Sequence, residues 1–119
     1  MKRKKVLIID DDEGIVHAVS LFLEESGYAV ESILRGEAAY DKVRSCLPDI
    51  IIIDVLMSGT DGREIAKKLK KDTTTKLIPI IMMSAHPAAE KGVEEAGVED
   101  FLAKPFDTDD LLHKIEKYL

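Results

Sequence analysis

The sequence predicts an α/β fold in which helices cover both faces of a five-stranded parallel sheet. Three observations carry this prediction. Short apolar runs of strand length recur along the chain, a segment with helical spacing of apolar residues follows each run, and no linker, repeat or low-complexity segment interrupts the alternation. At 119 residues the chain is long enough to bury one ordinary core. We therefore expect a single domain over residues 1–119.

The first two units are short and well bounded. Residues 6–9 are all apolar and predict the first strand. Asp12 is a suitable N-cap for the first helix, which is expected to end at Gly27. Residues 28–33 alternate weakly and predict the second strand. The second helix is predicted over residues 38–47, where a proline closes it.

The central strand has the clearest signal. Four consecutive isoleucines at residues 50–53 precede Asp54, and such a β-branched apolar run is typical of a strand buried on both faces. The remaining elements are strands over residues 78–83 and 101–103, and helices over residues 63–71, over residues 90–96 and after a cap at Thr108. The common strand order at this length is 2-1-3-4-5, the doubly wound, flavodoxin-like arrangement with five helices.

Composition narrows the function. The net charge of −6 argues against direct nucleic-acid binding, which needs a basic face, and the basic run Lys2 to Lys5 is interpreted as a solvated flank of the first strand. Cys46 is the single cysteine, so no intramolecular disulfide can form, and we interpret it as a small apolar residue at a helix end. With no signal peptide and no membrane-spanning run, a cytoplasmic protein is expected.

Chemically active side chains follow four of the five predicted strands. Asp10 and Asp11 follow the first strand, Asp54 the third, Ser84 the fourth and Lys104 the fifth. Because the carboxyl ends of parallel strands meet at one edge of the sheet, these groups are expected to share a cleft. Two carboxylates about 4 Å apart repel by roughly 4 kcal/mol at an effective dielectric near 20. The cluster therefore needs either a proton or added positive charge. Lys104 supplies one positive charge, and a hard divalent cation such as Mg²⁺ would supply the remainder.

Two other acids have simpler interpretations. Asp12 and Asp61 are expected to cap helices or to face the solvent rather than to join the cluster.

The chain resembles the receiver domain of bacterial two-component response regulators over residues 6–119. Five elements occur in order, each at the end of a predicted strand or in the loop after it. They are Ile8-Ile9-Asp10-Asp11, Ile53-Asp54 with Met57, Asp61-Gly62, Met83-Ser84-Ala85 and Lys104-Pro105-Phe106.

The resemblance assigns a role to each residue of the cluster. It implies that Asp54 is the phosphoacceptor, a carboxylate nucleophile for a phosphoryl group. It implies that Asp10, Asp11, Asp54 and the backbone carbonyl of Leu56 hold Mg²⁺ or Mn²⁺, with Asp10 often acting through water. Lys104 would neutralise phosphoryl oxygens.

The resemblance also implies a switch. Ser84 would swing to bond the phosphoryl group, Phe101 would turn inward after it, and the Lys104-Pro105 peptide would be cis. The surface that changes would comprise the fourth helix, the fifth strand and the fifth helix (α4-β5-α5 in the predicted numbering).

The partners implied are a sensor histidine kinase or a phosphotransfer protein as donor, and a downstream protein or a linked effector domain as target. The resemblance also allows a phosphorylation-dependent homodimer, without requiring one. No membrane partner is expected, because no run of residues approaches membrane-spanning length. The protein would not be an enzyme beyond its own aspartyl phosphorylation and slow autodephosphorylation. The Met1 start favours an N-terminal position if the chain is a piece of a longer regulator.

The chain departs from the family pattern at two positions. In the family, the loop that follows the phosphoacceptor usually contains Met-Pro-Gly. This chain has Met57-Ser58-Gly59 there. Leu56 is apolar where many relatives carry a polar side chain that orients a hydrolytic water, so we expect a long-lived aspartyl phosphate. His86 is interpreted either as a solvent-facing loop residue or as a contact of the phosphoryl group.

Three alternatives remain open. A magnesium-dependent phosphatase of the haloacid-dehalogenase type also uses a strand-end aspartate, but it needs a second aspartate at the position of Leu56. A flavin-binding protein of the same fold would need a first loop that cradles phosphate, which three consecutive aspartates would repel. A degenerate receiver acting only as a docking module is the third.

Overall fold

The computed structural model describes residues 3–86 and 90–119, and of Glu90 and Lys91 it describes the backbone alone. Lys2 of the predicted basic flank therefore lies outside the described residues. Along the chain, the strands of the main sheet are β1 (Lys5–Ile9), β2 (Ala29–Ile33), β3 (Ile50–Asp54), β6 (Ile80–Ser84) and β7 (Asp100–Ala103). Two further strands of two residues each, β4 (Leu56–Met57) and β5 (Thr60–Asp61), form a separate antiparallel hairpin.

The main sheet is parallel throughout and has the order β2-β1-β3-β6-β7. Counting only its five strands, this is the predicted order 2-1-3-4-5. Five α-helices connect or follow the strands: α1 (Glu13–Glu25), α2 (Ala39–Cys46), α3 (Gly62–Lys71), α4 (Glu90–Glu95) and α5 (Thr108–Tyr118). A 3₁₀ turn, Gly36–Ala38, precedes α2. The fold class predicted from the sequence is confirmed.

The alternation of side chains along the strands divides the core into two layers. On β1 and β3, one face contributes Leu7, Ile9, Ile51 and Ile53 to the layer that includes buried residues of α2 and α3. The opposite face contributes Val6, Ile8, Ile50 and Ile52 to the layer that includes α1 and α5. All eight side chains are fully buried, which explains why both strands are apolar without alternation.

The helix N-caps agree with the prediction at two helices and differ from it at the last one. The last helix begins at Thr108 with Asp107 at the N-cap, so the predicted Thr108 cap was wrong by one residue. Both residue types are favourable at an N-cap, and sequence alone does not rank two adjacent candidates. Asp12 and Asp61 do cap helices, by accepting hydrogen bonds from the amides of Ile15 at 3.2 Å and Arg63 at 2.9 Å.

The basic run before the first strand was expected to be solvated, but its last residue, Lys5, makes ion-pair contacts. Lys5 lies in β1 and its ammonium is 3.3 Å from the carboxylate of Glu31, which also binds Lys42 at 2.7 Å.

None of the helices in the described ranges is long and apolar enough to cross a membrane.

Candidate functional site

Two neighbouring strands bring the acidic residues together. Ile9 and Ile53 are paired in the register of β1 and β3, so the residues that follow them, Asp10 and Asp54, emerge side by side. Asp10 is fully buried and Asp54 is 7% exposed, whereas Asp11 is exposed. One oxygen from each of the three carboxylates lies within 4.8 Å of the others. The convergence expected from the strand ends is therefore present.

Lys104 supplies the positive charge of the cluster. It follows β7, and its long side chain reaches back across the ends of the intervening strands to Asp10. Its Nζ lies 2.7 Å from Asp10 Oδ2 and 3.4 Å from Asp54 Oδ1. Its backbone amide donates to the carbonyl of Ser84 at 2.9 Å, which fixes the start of this segment against β6. The peptide after Lys104 is cis, as the resemblance implied.

Ser84 is the last residue of β6 and is 3% exposed. Its hydroxyl oxygen accepts a hydrogen bond from the amide of His86 at 3.0 Å. A cleft of about 320 Å³ beside it is lined by Asp54, Leu56, Ser84, Ala85, His86 and Lys104. The Asp54 carboxylate, the Lys104 ammonium and the Ser84 hydroxyl thus face one small space.

The pKa of the Asp54 carboxyl is raised from 3.8 to about 6. Burial is the largest cause, and the negative charge of Asp10 adds to it, while Lys104 acts in the opposite direction. For Lys104, burial opposes the charge, but the hydrogen bond and the charge of Asp10, followed by those of Asp54, raise its pKa. Lys104 therefore stays cationic at neutral pH.

The raised pKa predicts that Asp54→Asn stabilises the metal-free protein at neutral pH. Because the folded pKa exceeds the unfolded value, the stability linked to Asp54 is fully present below pH 3.8 and is lost as pH rises through about 6. Asparagine is neutral and avoids that loss, so we expect the free energy of unfolding at neutral pH to rise by about 1–2 kcal/mol. This is less than the full pKa shift of Asp54 would give, because Lys104 loses a charged partner. Urea unfolding with a chelator at neutral pH and near pH 4 checks this. A gain that persisted undiminished at the lower pH would contradict it.

The donor set fits a hard divalent cation. Every candidate ligand atom is an oxygen, which suits Mg²⁺ or Mn²⁺ and disfavours softer metals. Asp10 Oδ1 accepts the amide of Asp12 at 3.0 Å, and Asp11 Oδ2 accepts the amide of Ser58 at 2.8 Å. Both carboxylates are therefore oriented by backbone donors. The Leu56 carbonyl stays a predicted ligand. Its side chain is 54% exposed.

The predicted switch residue Phe101 does not line the cleft. It lies in β7, opposite Met82 in the register, and its half-buried ring packs against the core layer of α2 and α3. His17 and His113 lie on α1 and α5 and do not line the cleft. The contact that the sequence did not predict is the one between Ser58 and Asp11, because it is made by a backbone amide.

The chain is thus an α/β protein whose doubly wound sheet brings three carboxylates, a lysine and a serine together at its carboxyl edge, a group that could hold a metal ion. The family model described as "Response regulator receiver domain" matches residues 6–116. The chain belongs to this family, the receiver domains of two-component response regulators. Phosphorylation-dependent switching is the general function of such domains, which are signalling modules that interact with histidine kinases and output domains.

The relatives include longer regulators and isolated receivers. The phosphate regulon transcriptional regulatory protein PhoB of Rhizobium meliloti is 31% identical over 97% of this chain and 52% of its own length. The chain spans about half the length of the first curated relatives it matches.

Two solved structures illustrate the similarity. The chemotaxis response regulator CheY4 of Vibrio cholerae has a TM-score of 0.91 at 32% identity, with 99% of this chain and all of that chain covered. The response regulator TrrA of Thermotoga maritima, solved in complex with Mg²⁺-BeF, has a TM-score of 0.89 at 29% identity, with 98% and 99% covered.

Proposed function

We propose that this chain is a single receiver domain over residues 1–119 that accepts a phosphoryl group on Asp54 with the help of Mg²⁺. The observation that carries the proposal is the grouping of Asp10, Asp11 and Asp54 within 4.8 Å, with Lys104 as counter-charge. A structural acid at a strand end needs neither a second buried acid nor a lysine drawn from the far side of the sheet.

The transfer follows from this arrangement. A carboxylate oxygen of Asp54 attacks the phosphorus of a phosphohistidine, the phosphorus–nitrogen bond breaks, and the imidazole leaves with a proton. Lys104, already 3.4 Å from Asp54, balances the charge on the transferred group. When bound to Asp10, Asp11, Asp54 and the Leu56 carbonyl, the cation would draw the phosphoryl oxygens toward the nucleophile and offset their charge.

The switch begins with a change of partner at Ser84. Its hydroxyl accepts from the His86 amide at 3.0 Å, and it would leave that amide to donate to a phosphoryl oxygen. Phe101, half-buried on the adjacent strand, would then turn inward. The surface of α4, β7 and α5 would carry this change to partners.

The partners follow from this chemistry. The donor is a sensor histidine kinase or a phosphotransfer protein in the cytoplasm. The target is a downstream protein, a linked effector domain or a second copy of the chain. The half-length coverage of the transcriptional regulators supports the linked-domain form without assigning this chain an output.

The alternatives from the sequence are less well supported. A phosphatase of the haloacid-dehalogenase type would place its acid at Leu56, whose side chain is apolar and 54% exposed. A docking module that has lost phosphorylation would have no need of a fully buried Asp10 bonded to Lys104.

The test is incubation with acetyl phosphate and Mg²⁺ followed by intact mass measurement. We expect one added phosphoryl group that hydroxylamine removes, and none in Asp54→Asn. Asp41→Asn, an exposed acid on α2, is the matched control and should be labelled like the wild type. Labelling that persists in Asp54→Asn, or no labelling of the wild type, would refute the proposal.

The exposed Leu56 predicts a slow loss of the phosphoryl group. Its side chain lines the cleft and offers no polar atom to orient a water molecule. We expect Leu56→Asn to accelerate dephosphorylation by roughly tenfold, which corresponds to about 1.4 kcal/mol of transition-state stabilisation. The decay of phosphorylated protein after removal of acetyl phosphate measures this, with Leu56→Val as an apolar control. An unchanged or slower rate in Leu56→Asn would contradict the expectation.

A further inference from the structure

The backbone amide of Ser58 donates to Asp11 Oδ2 at 2.8 Å, across 47 positions of the chain. The bond joins the loop after β1 to the hairpin that follows Asp54. Asp11 is an exposed residue, whereas Asp10 is fully buried and bonded to Lys104. The position of the Asp11 carboxylate therefore depends on specific contacts more than on packing.

Ser58 occupies the first central position of the turn in this hairpin, and its backbone is unstrained there. Leu56 pairs with Asp61 and Met57 with Thr60, so Ser58 and Gly59 form a two-residue turn. Gly59 has a φ of +74°, and Ser58 is not among the described residues with positive φ. A negative φ followed by a positive φ at glycine fits a type II turn, whose first central position also accepts proline.

Proline at this position would remove the backbone N–H that donates to Asp11. Receivers with the usual Met-Pro-Gly have no N–H there and cannot donate this hydrogen bond. The present chain, with serine, can. The difference lies in the backbone, so any residue other than proline would provide the same donor.

We propose that the Ser58 amide positions Asp11 as a metal ligand, a device that the serine in place of proline gives this chain. The inference rests on the proposed function, because it concerns the same cation. Asp10, Asp11 and Asp54 lie within 4.8 Å of one another, so without a cation their repulsion favours rotation of the exposed Asp11 away from the cluster. The amide opposes that rotation.

The donor and a cation can share the carboxylate. An ionised aspartate has two oxygens and about four acceptor directions, so one hydrogen bond to Oδ2 leaves others for a metal. Since the ordered side chain loses less rotamer freedom on binding, the affinity rises. The coupling is reciprocal, and the bound cation holds the hairpin in place.

The experiment compares Ser58→Pro with Ser58→Ala by calorimetric titration with Mg²⁺. Alanine keeps the amide and removes the hydroxyl, whereas proline removes the amide and suits the turn. Met57, in an extended strand, tolerates a following proline. We expect Ser58→Ala to bind Mg²⁺ within about twofold of the wild type and Ser58→Pro to bind about fivefold more weakly, a change of about 1 kcal/mol. Urea midpoints in a chelator should stay close for all three.

A second measurement does not depend on a variant at Ser58. Hydrogen exchange of the Ser58 amide, followed by NMR, should be slow in the wild type, slower with Mg²⁺ and fast in Asp11→Ala. This readout reports the bond directly and would not respond to a role confined to folding.

The outcomes separate the two proposals. Equal Mg²⁺ affinity of Ser58→Pro and Ser58→Ala, in a protein that still labels on Asp54, would overturn the inference alone. Tighter binding by Ser58→Pro would overturn it as well, because the amide would then compete with the cation. Absence of Mg²⁺ binding by the wild type would overturn the inference together with the proposed function.

Discussion

Replacing Lys104 with methionine is expected to reduce phosphorylation by acetyl phosphate by about 100-fold, the range found when one charge-stabilising group is removed from an active site. Lys104 is the cation that contacts both Asp10 and Asp54, at 2.7 and 3.4 Å. Methionine keeps an unbranched side chain of similar length and removes the charge. The rate of mass gain at saturating Mg²⁺ measures the effect.

The same substitution should also destabilise the metal-free protein. Asp10 has no exposed surface, and breaking a buried ion pair by removing one partner costs about 3–5 kcal/mol. Protonation of Asp54, whose pKa is already raised to about 6, relieves part of this cost, so the deficit should shrink as the pH is lowered. Urea unfolding in a chelator across the acidic range measures it.

In Lys104→Met, the affinity for Mg²⁺ and the rate of labelling should change in opposite directions. Removing a positive charge from the edge of a cation site strengthens cation binding, so Lys104→Met should bind Mg²⁺ more tightly while it labels more slowly. Lys104→Arg is the matched control, because it keeps the charge and should retain a larger share of the rate. A wild-type labelling rate in Lys104→Met would show that the ammonium does not balance the phosphoryl charge.

The grouping of side chains in the cleft was predictable because these residues lie where the apolar runs end. Asp54 follows four isoleucines, and Ser84 and Lys104 follow the next two apolar runs. Once the parallel order is known, each such residue must lie at one edge of the sheet. The sequence also contained the likeness to the family, which the match over residues 6–116 confirms.

The loop that shapes the cleft was not predictable in the same way. β4 and β5 have two residues each, too few for any periodicity to appear. The bond from Ser58 to Asp11 is made by a backbone amide, which all residues except proline possess. Its existence depends on how the hairpin is placed over the end of β1, and that is set by tertiary packing.

Ion pairs away from the site were also not predictable from the sequence. Glu31 lies in β2 and receives hydrogen bonds from Lys42 and Lys5, which lower its pKa to about 2. Nothing in the spacing of these residues selects one partner over another. The left-handed conformation of Leu47, with a φ of 45°, was also hidden, because glycine rather than leucine is the usual signal at a helix end.

Gly62→Ala is expected to be strongly destabilising, although Gly62 lies next to the cleft and carries no side chain. Gly62 is the buried first residue of α3, and its amide donates to the carbonyl of Val55 at 2.7 Å. A Cβ at this position would lie 2.1 Å from the carbonyl oxygen of Asp54 and 3.2 Å from the Cα of Val55. Both contacts are with backbone atoms, which cannot rotate aside as a side chain can.

The strain must therefore be relieved by moving α3 or the end of β3. Overpacking of this kind costs about 3 kcal/mol or more, a large share of the stability of a small domain. The shift also displaces Asp54 from Lys104, so labelling by acetyl phosphate should slow even under conditions in which the variant remains folded. Urea unfolding and the labelling rate are measured on the same preparation.

Two other glycines near the site provide matched controls that separate crowding from backbone conformation. Gly59 has open space around the added Cβ but a φ of +74°, so Gly59→Ala should lose only about 1 kcal/mol through strain. Gly14 lies in α1 and would meet only the Asp12 carboxylate, at 3.3 Å, so Gly14→Ala should gain up to about 1 kcal/mol from helix propensity. The expected order of stability is Gly14→Ala, then Gly59→Ala, then Gly62→Ala. If Gly62→Ala were as stable as Gly59→Ala, the close packing of α3 on the backbone of Asp54 would be refuted.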